Sequence, residues 1–312
     1  MIPHLAAHLA RHPARLLPSS KRASVAIVLR VTGWPAGAPP VPPPSFLRSA
    51  PAASSCAATT EVLFIKRASR DGDPWSGHVA FPGGKNEGES DMQCAARETL
   101  EEVGLDLAAG QHLFLGRLDD RPVFSGGKRL GDSAFCAGVW VQTGPATPPL
   151  TLQREEVAGV RWVRVSHLLP SCVDPRGIQR PAARYLAPWL RALLGVREVH
   201  LPAIDLPAEE GASSSSSSDG ALQFLLWGMS LQATSDLVAA AGAAQRPLNW
   251  PPALTNSAAA NFLVRAGCGA AEVAGVLQGK GLGSLQLPHA GALGAAVGAV
   301  ALLARQLALR LF

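Results

Sequence analysis

The sequence predicts an α/β domain, and three observations carry that prediction. Short β-branched apolar runs such as 24–31, "SVAIVLRV", and 61–68, "EVLFIKRA", alternate with stretches of helical character. One of those stretches, 90–103, has a complete set of helix start and stop signals. The chain of 312 residues is 47% hydrophobic and 16% charged, enough apolar material for one large or two ordinary cores.

In chain order, segment 1–22 is basic and free of acidic residues up to Glu61, which gives it the character of an organelle transit peptide. Strand-like residues begin by Ser24 and leave little to remove, so an N-terminal helix followed by a loop is expected. Residues 33–60 are a Pro/Ala/Ser-rich loop between the first two strands. A short strand at 79–81 is stopped by Pro82-Gly83-Gly84. Ser90 with Gln93 forms a capping box for the helix at 90–103, and Gly104 fits its C-terminal cap. Strands are expected at 112–118, 134–142 and 157–165, then helices at 181–195 and 222–242. The insert "EEGASSSSSSDG" (209–220) between those helices buries nothing and is expected to be disordered.

Beyond residue 243 the chain is Ala/Gly/Leu-rich. Residues 281–304 are long enough to span a bilayer, but Ala and Gly dominate them and Pro288 interrupts. A helix packed on the domain, or partial disorder, is the expectation over membrane association of this tail.

Composition excludes several partners. The net charge is +5, yet the cations are scattered and aromatics do not interleave with them, so no nucleic-acid surface is expected. Five cysteines without a CxxC pair give no disulfide framework and fit an intracellular, reducing compartment. The oligomeric state cannot be read from the sequence.

The chemistry concentrates in "GGKNEGESDMQCAARETLEEVGL", residues 83–105. Glu98, Glu101 and Glu102 fall at helical spacings that share a face, and like charges there repel. They also sit in the last turns, where the helix dipole disfavours anions. Arg97 reaches Glu101 and Glu89 but cannot neutralise all four. Such a cluster suits a hard divalent cation, Mg2+ or Mn2+, and a phosphoryl substrate.

The order Gly83, five residues, Glu89, seven residues, Arg97-Glu98-Thr99, one residue, Glu101-Glu102, one residue, Gly104-Leu105 resembles the signature box of the Nudix hydrolases. Thr99 stands where that pattern has an aliphatic residue. The resemblance covers roughly 20–242, with insertions at 33–60 and 208–221. It implies an α/β/α sandwich with a mixed β-sheet between helices, to which the Ala-rich C-terminal tail, read as helical, is appended. It also implies Glu98, Glu101 and Glu102 as metal ligands, with Glu101 alternatively orienting the attacking water. Arg97 and Glu89 would brace the loop, and Gly83 and Gly84 would allow close approach of substrate. Glu156, at the start of the strand at 157–165, is where many members place a further catalytic glutamate; Glu155 is its neighbour.

"KRASRDGDPWSGHVAFPGGK" is similar to the coenzyme A diphosphatase branch, with Trp75 in the place of that branch's histidine. The implied reaction cleaves coenzyme A or acyl-CoA to 3′,5′-ADP and (acyl-)4′-phosphopantetheine. The alternatives are another diphosphate substrate (ADP-ribose, NADH or a nucleoside triphosphate) and a non-catalytic nucleotide-sensing module. Lys66 and Arg67, leaving the second strand, are candidate phosphate contacts. His78 is expected to be a packed strand residue.

Overall fold

The structure is a computed structural model, and it describes residues 1–32, 60–125, 128–143, 146–184, 188–207, 223–243 and 254–255. The Pro-rich loop at 33–59, the serine insert and nearly all of the C-terminal tail lie outside these residues. No helix among the described residues is long and apolar enough to cross a membrane.

The elements run α1 (Ile2–Arg11), β1 (Arg22–Val31), β2 (Thr60–Arg67), β3 (Val79–Ala80), β4 (Gly83–Lys85), α2 (Asp91–Val103), β5 (His112–Arg117), β6 (Arg121–Ser125) and β7 (Lys128–Gln142). They continue with β8 (Val157–Arg164), β9 (Asp174–Pro181), α3 (Pro188–Leu194), β10 (Glu198–Asp205), β11 (Leu225–Trp227), α4 (Gly228–Ala240) and β12 (Leu254–Thr255). Two compact units hold them: the described parts of 1–123, 129–174 and 203–249 form the first, and those of 124–128, 175–202 and 250–312 the second.

In the first unit the main sheet has the order β3-β2-β1-β7-β5, with β8 on β2, β4 on β1 and β6 on β7. The sheet is mixed, because β1 runs parallel to β7 and antiparallel to β2 and β4. β1 and β2 are central, so both of their faces are covered: Val25–Leu29 and Thr60–Ile65 are buried throughout. That double burial explains why Val25–Leu29 and Val62–Ile65 are continuously apolar rather than alternating.

On one face α2 packs through Ala95 and Val103 against Ala26, Val28, Leu63, Ile65 and Trp162. On the other, α1 and α4 contribute Leu5, Leu231 and Leu237 to a core with Ile27, Leu29, Phe64 and Val139. The sheet is thus sandwiched between helices, as expected. In the second unit β9 pairs with β10, and Val199 and His200 of β10 pair with Thr255 and Leu254.

α2 forms as its caps dictate: the Ser90 side chain accepts from the Gln93 amide, the Gln93 side chain accepts from the Ser90 amide, and Gly104 closes the helix at φ 72°. Two other expectations are corrected. The helix expected at 222–242 begins only at Gly228, because Leu225–Trp227 find an open strand edge at Ala203–Asp205. The helix expected at 181–195 is confined to α3 (Pro188–Leu194), since Asp174–Pro181 pair as β9 and Ala182–Arg184 form a 3-10 turn.

Candidate active site

In the last two turns of α2 the four charged residues divide between two faces. Successive residues turn by about 100°, so Arg97 and Glu101 lie on one line and Glu98 and Glu102 on the next. Arg97 Nη1 meets Glu101 Oε2 at 2.9 Å and Glu98 Oε1 at 3.0 Å, and its Nη2 meets Glu89 Oε1 at 2.8 Å. The Glu89–Arg97 bridge ties the loop after β4 to the helix. This guanidinium holds the Glu89 carboxyl well below the usual range, at about 2.

Glu98 and Glu102 point toward the sheet end and meet Glu156, which ends the turn before β8. One carboxylate oxygen from each of the three lies within 4.8 Å of the others. Glu101 is not among them: it is exposed and engaged with Arg97. The third carboxylate of the cluster comes from a residue 54 positions on from Glu102, where no helical spacing could have pointed to it.

The turn carrying Glu156 is docked on the C-terminus of α2. Thr151 N–H donates to the Val103 carbonyl and Gln153 N–H to the Glu102 carbonyl, each at 3.0 Å. Two carbonyls that the helix end would leave unpaired are thereby satisfied. Gly104 permits this approach, since a Cβ there would lie 3.0 Å from Thr151 Cβ.

Arg97 pairs with Glu98 and Arg70 with Glu156, whereas at Glu102 a backbone N–H takes the place of a salt bridge. Glu102 is buried, and burial pushes its carboxyl up to about 8, helped by Glu98 and Glu156 and opposed by the Gly83 N–H and the charge of Arg67. Glu98 is also raised, by burial first, against the pull of Arg97. Three converging carboxylates, one of them too buried to ionise readily alone, are the donor set a hard divalent cation takes. The residues present therefore fit a hard divalent cation at Glu98, Glu102 and Glu156.

The glycines sit directly on these carboxylates. Gly83 N–H donates to Glu102 Oε2 at 2.9 Å, with Gly83 at φ 151° where a Cβ would strike Ser24 and Val25. Gly84 lies so close to Glu98 that a Cβ would stand 2.3 Å from its carboxylate carbon.

Lys66 and Arg67 are neighbours in sequence and alternate across β2. Arg67 lies toward α2, near enough to lower Glu102, and its Nη2 bridges Asp73 at 3.0 Å. Lys66 lies on the opposite face, where its Nζ donates to the Gln223 carbonyl at 2.5 Å. His78 is packed, its ring edge-on to Trp227 at 4.6 Å between centroids. Trp75 is exposed, its amide held by Asp73.

A second acidic group, Asp91, Asp120 and Cys136, differs in that each of two arginines bridges both of its carboxylates. Arg22 Nη2 meets Asp120 at 2.5 Å and Arg22 Nε meets Asp91 at 2.8 Å, while Arg117 Nη2 bridges the same two carboxylates at 2.9 and 2.6 Å. This network pins β1, the start of α2 and β5 together; its charge is already balanced.

Residues 48–190 match the model described as the NUDIX domain. An uncharacterised protein of Schizosaccharomyces pombe (strain 972 / ATCC 24843), C14C4.10c, is 42% identical over 114 residues, which are 36% of this chain and 34% of that protein. The chain thus spans about a third of the length of this curated relative. Among solved structures, a Caenorhabditis elegans Ap4A hydrolase binary complex is 17% identical, covering 45% of this chain and 77% of that one, with a TM-score of 0.30. The NUDIX domain of Shewanella oneidensis NrtR in complex with ADP ribose is 14% identical, covering 50% and 77%, with a TM-score of 0.29. The box at 83–105, the mixed sheet between helices and the family match identify residues 48–190 of this chain as a NUDIX domain.

Proposed function

We propose that this protein is a divalent-metal-dependent Nudix diphosphatase, and that its substrate is coenzyme A or an acyl-CoA. The observation that carries the reaction class is the meeting of Glu98, Glu102 and Glu156 beside Gly83 and Gly84. A sensor domain has no need of three mutually repelling carboxylates at one buried point, because each raises the cost of charging the others.

Glu98, Glu102 and Glu156 would hold Mg2+ or Mn2+. Bound there, a divalent cation supplies charge compensation for the oxygens of a diphosphate. The chain's own groups do the positioning: Arg97 fixes Glu98, the Gly83 amide fixes Glu102, and Arg67 keeps a positive charge at the end of β2. The two glycines let the backbone of β4 pack directly on Ser24, Val25 and the Glu98 carboxylate, which seats the carboxylates where they converge. Glu101 stands outside the cluster on the solvent side of Arg97, and its part is to hold that arginine.

The coenzyme A assignment is supported by the segment 66–85, which is similar to that branch of the family. Incubation of the purified chain with coenzyme A, ADP-ribose, NADH and nucleoside triphosphates, with Mg2+ or Mn2+, tests both levels. Release of 3′,5′-ADP and 4′-phosphopantetheine, lost in Glu102→Gln, is the expected result. Cleavage confined to another substrate keeps the reaction and moves the substrate. Metal binding without cleavage of any of them overturns the enzyme reading.

A further inference from the structure

We infer that Arg70 is a positioning residue that sets the metal affinity of the site by holding Glu156 in place; this rests on the metal-site reading above. Among the described residues, the three clustered carboxylates each have one donor. Glu98 has Arg97 Nη1 at 3.0 Å, Glu102 has the Gly83 amide at 2.9 Å, and Glu156 has Arg70 Nη2 at 2.9 Å. The first two donors belong to the signature box. Arg70 lies outside it, in the loop between β2 and β3.

The guanidinium is anchored independently of the carboxylate it serves. Its Nε and Nη2 both donate to the Glu155 carbonyl, at 3.0 and 2.8 Å. The Arg70 amide donates to Ser76 Oγ at 2.7 Å, which fixes the loop from the other side. Arg70 therefore presents Nη2 to Glu156 from a fixed position, a geometry that a lysine, whose three donors share one rotating nitrogen instead of a planar fork, does not reproduce.

Glu156 needs this hold more than its partners do. Its backbone is fixed, with N–H on the Gln153 carbonyl at 2.9 Å and its carbonyl accepting from Ala68 N–H at 2.7 Å. Its side chain, however, is about a third exposed. Among the described residues, Arg70 is the side chain that hydrogen-bonds it. Without Arg70 the glutamate regains its rotamers and swings into water, so assembling the third ligand costs entropy at each binding event. Occupying Oε1 leaves Oε2 available to a cation, so the bridge orients the ligand without consuming it. Loss of such a supporting contact typically weakens metal affinity 10- to 100-fold.

The test is Mn2+ binding, followed by electron paramagnetic resonance of free Mn2+, on wild type, Arg70→Ala, Arg70→Lys, Glu156→Gln and the Arg70→Ala/Glu156→Gln pair. Circular dichroism checks that each is folded. We expect Arg70→Ala to raise the Mn2+ dissociation constant about tenfold, Arg70→Lys to fall between, and Arg70→Ala to add nothing in the Glu156→Gln background. Unchanged or tighter binding in Arg70→Ala overturns the inference. An equal loss in both backgrounds also overturns it, since Arg70 would then act through the loop rather than through Glu156. If wild type binds no Mn2+, the metal-site reading itself fails, and this inference falls with it.

Discussion

The Gly83 amide donates to Glu102 Oε2 across 2.9 Å, joining the backbone of β4 to a carboxylate 19 residues on. The bond stabilises the charged form of a group whose burial favours the neutral one. Glu102 is thus poised between a stability cost and a use, and this tension yields the first prediction.

Glu102 has its folded pKa raised to about 8, above an ordinary glutamate near 4.3. A raised carboxyl contributes stability that is complete below the unfolded pKa and is lost as pH rises through the folded one. In metal-free protein, Glu102→Gln should therefore raise the melting temperature by several degrees at about pH 8 and leave it nearly unchanged at about pH 4, in each case relative to wild type. Mn2+ should stabilise wild type and not the mutant. Thermal melts at the two pH values, with and without Mn2+, check both statements.

Gly84→Ala would place a methyl 2.3 Å from the Glu98 carboxylate. The obstructing atoms are the end of a flexible side chain, so the carboxylate moves and the fold survives. The expected outcome is a loss of stability under about 1 kcal/mol, with metal affinity and hydrolysis reduced at least about tenfold. Urea unfolding and Mn2+ titration on one preparation separate the two effects.

Gly104→Ala should act chiefly on stability. Its φ of 72° disfavours any Cβ, and the new atom would press on Thr151, whose amide caps the helix. A destabilisation of about 1–2 kcal/mol is expected, measurable by urea unfolding.

Asp91 holds Arg22, Arg117 and Asn86 at the start of α2; burial alone would raise its pKa, but these donors hold it well below the usual carboxylate range. A lowered carboxyl contributes stability present above the unfolded pKa, near 3.9, and lost as pH falls through the folded one. Asp91→Asn should lower stability by about 2 kcal/mol at neutral pH and flatten the acid side of the stability profile. Urea unfolding from pH 7 down to pH 2 tests this.

Burial pushes the thiols of Cys94 and Cys136 up to about 12, whereas Cys172 is exposed. In native protein Cys172 should react with a thiol reagent at neutral pH, and Cys94 and Cys136 only after unfolding. Mass mapping of the labelled cysteines distinguishes them.

Local rules determined much of this protein from sequence alone. The caps of α2, the buried runs of β1 and β2 and the spacing of Arg97, Glu98 and Glu102 all depend on residues within one or two turns or strands of each other. They hold because a helix fixes which side chains share a line and a central strand must be apolar on both faces. Tertiary structure decided what depends on contacts between distant segments. It turned Leu225–Trp227 into a strand, because Ala203–Asp205 offered an unpaired edge. It set Lys66 and Arg67 on opposite faces of one strand, only one of them near the carboxylates. It joined Glu156 to Glu98 and Glu102 while leaving Glu101 with Arg97, because the turn at 151–156 docks on the carbonyls that end α2. A helix end must satisfy its carbonyls somewhere, and which loop arrives to do so is written in the packing of the whole sheet rather than in any short stretch of sequence.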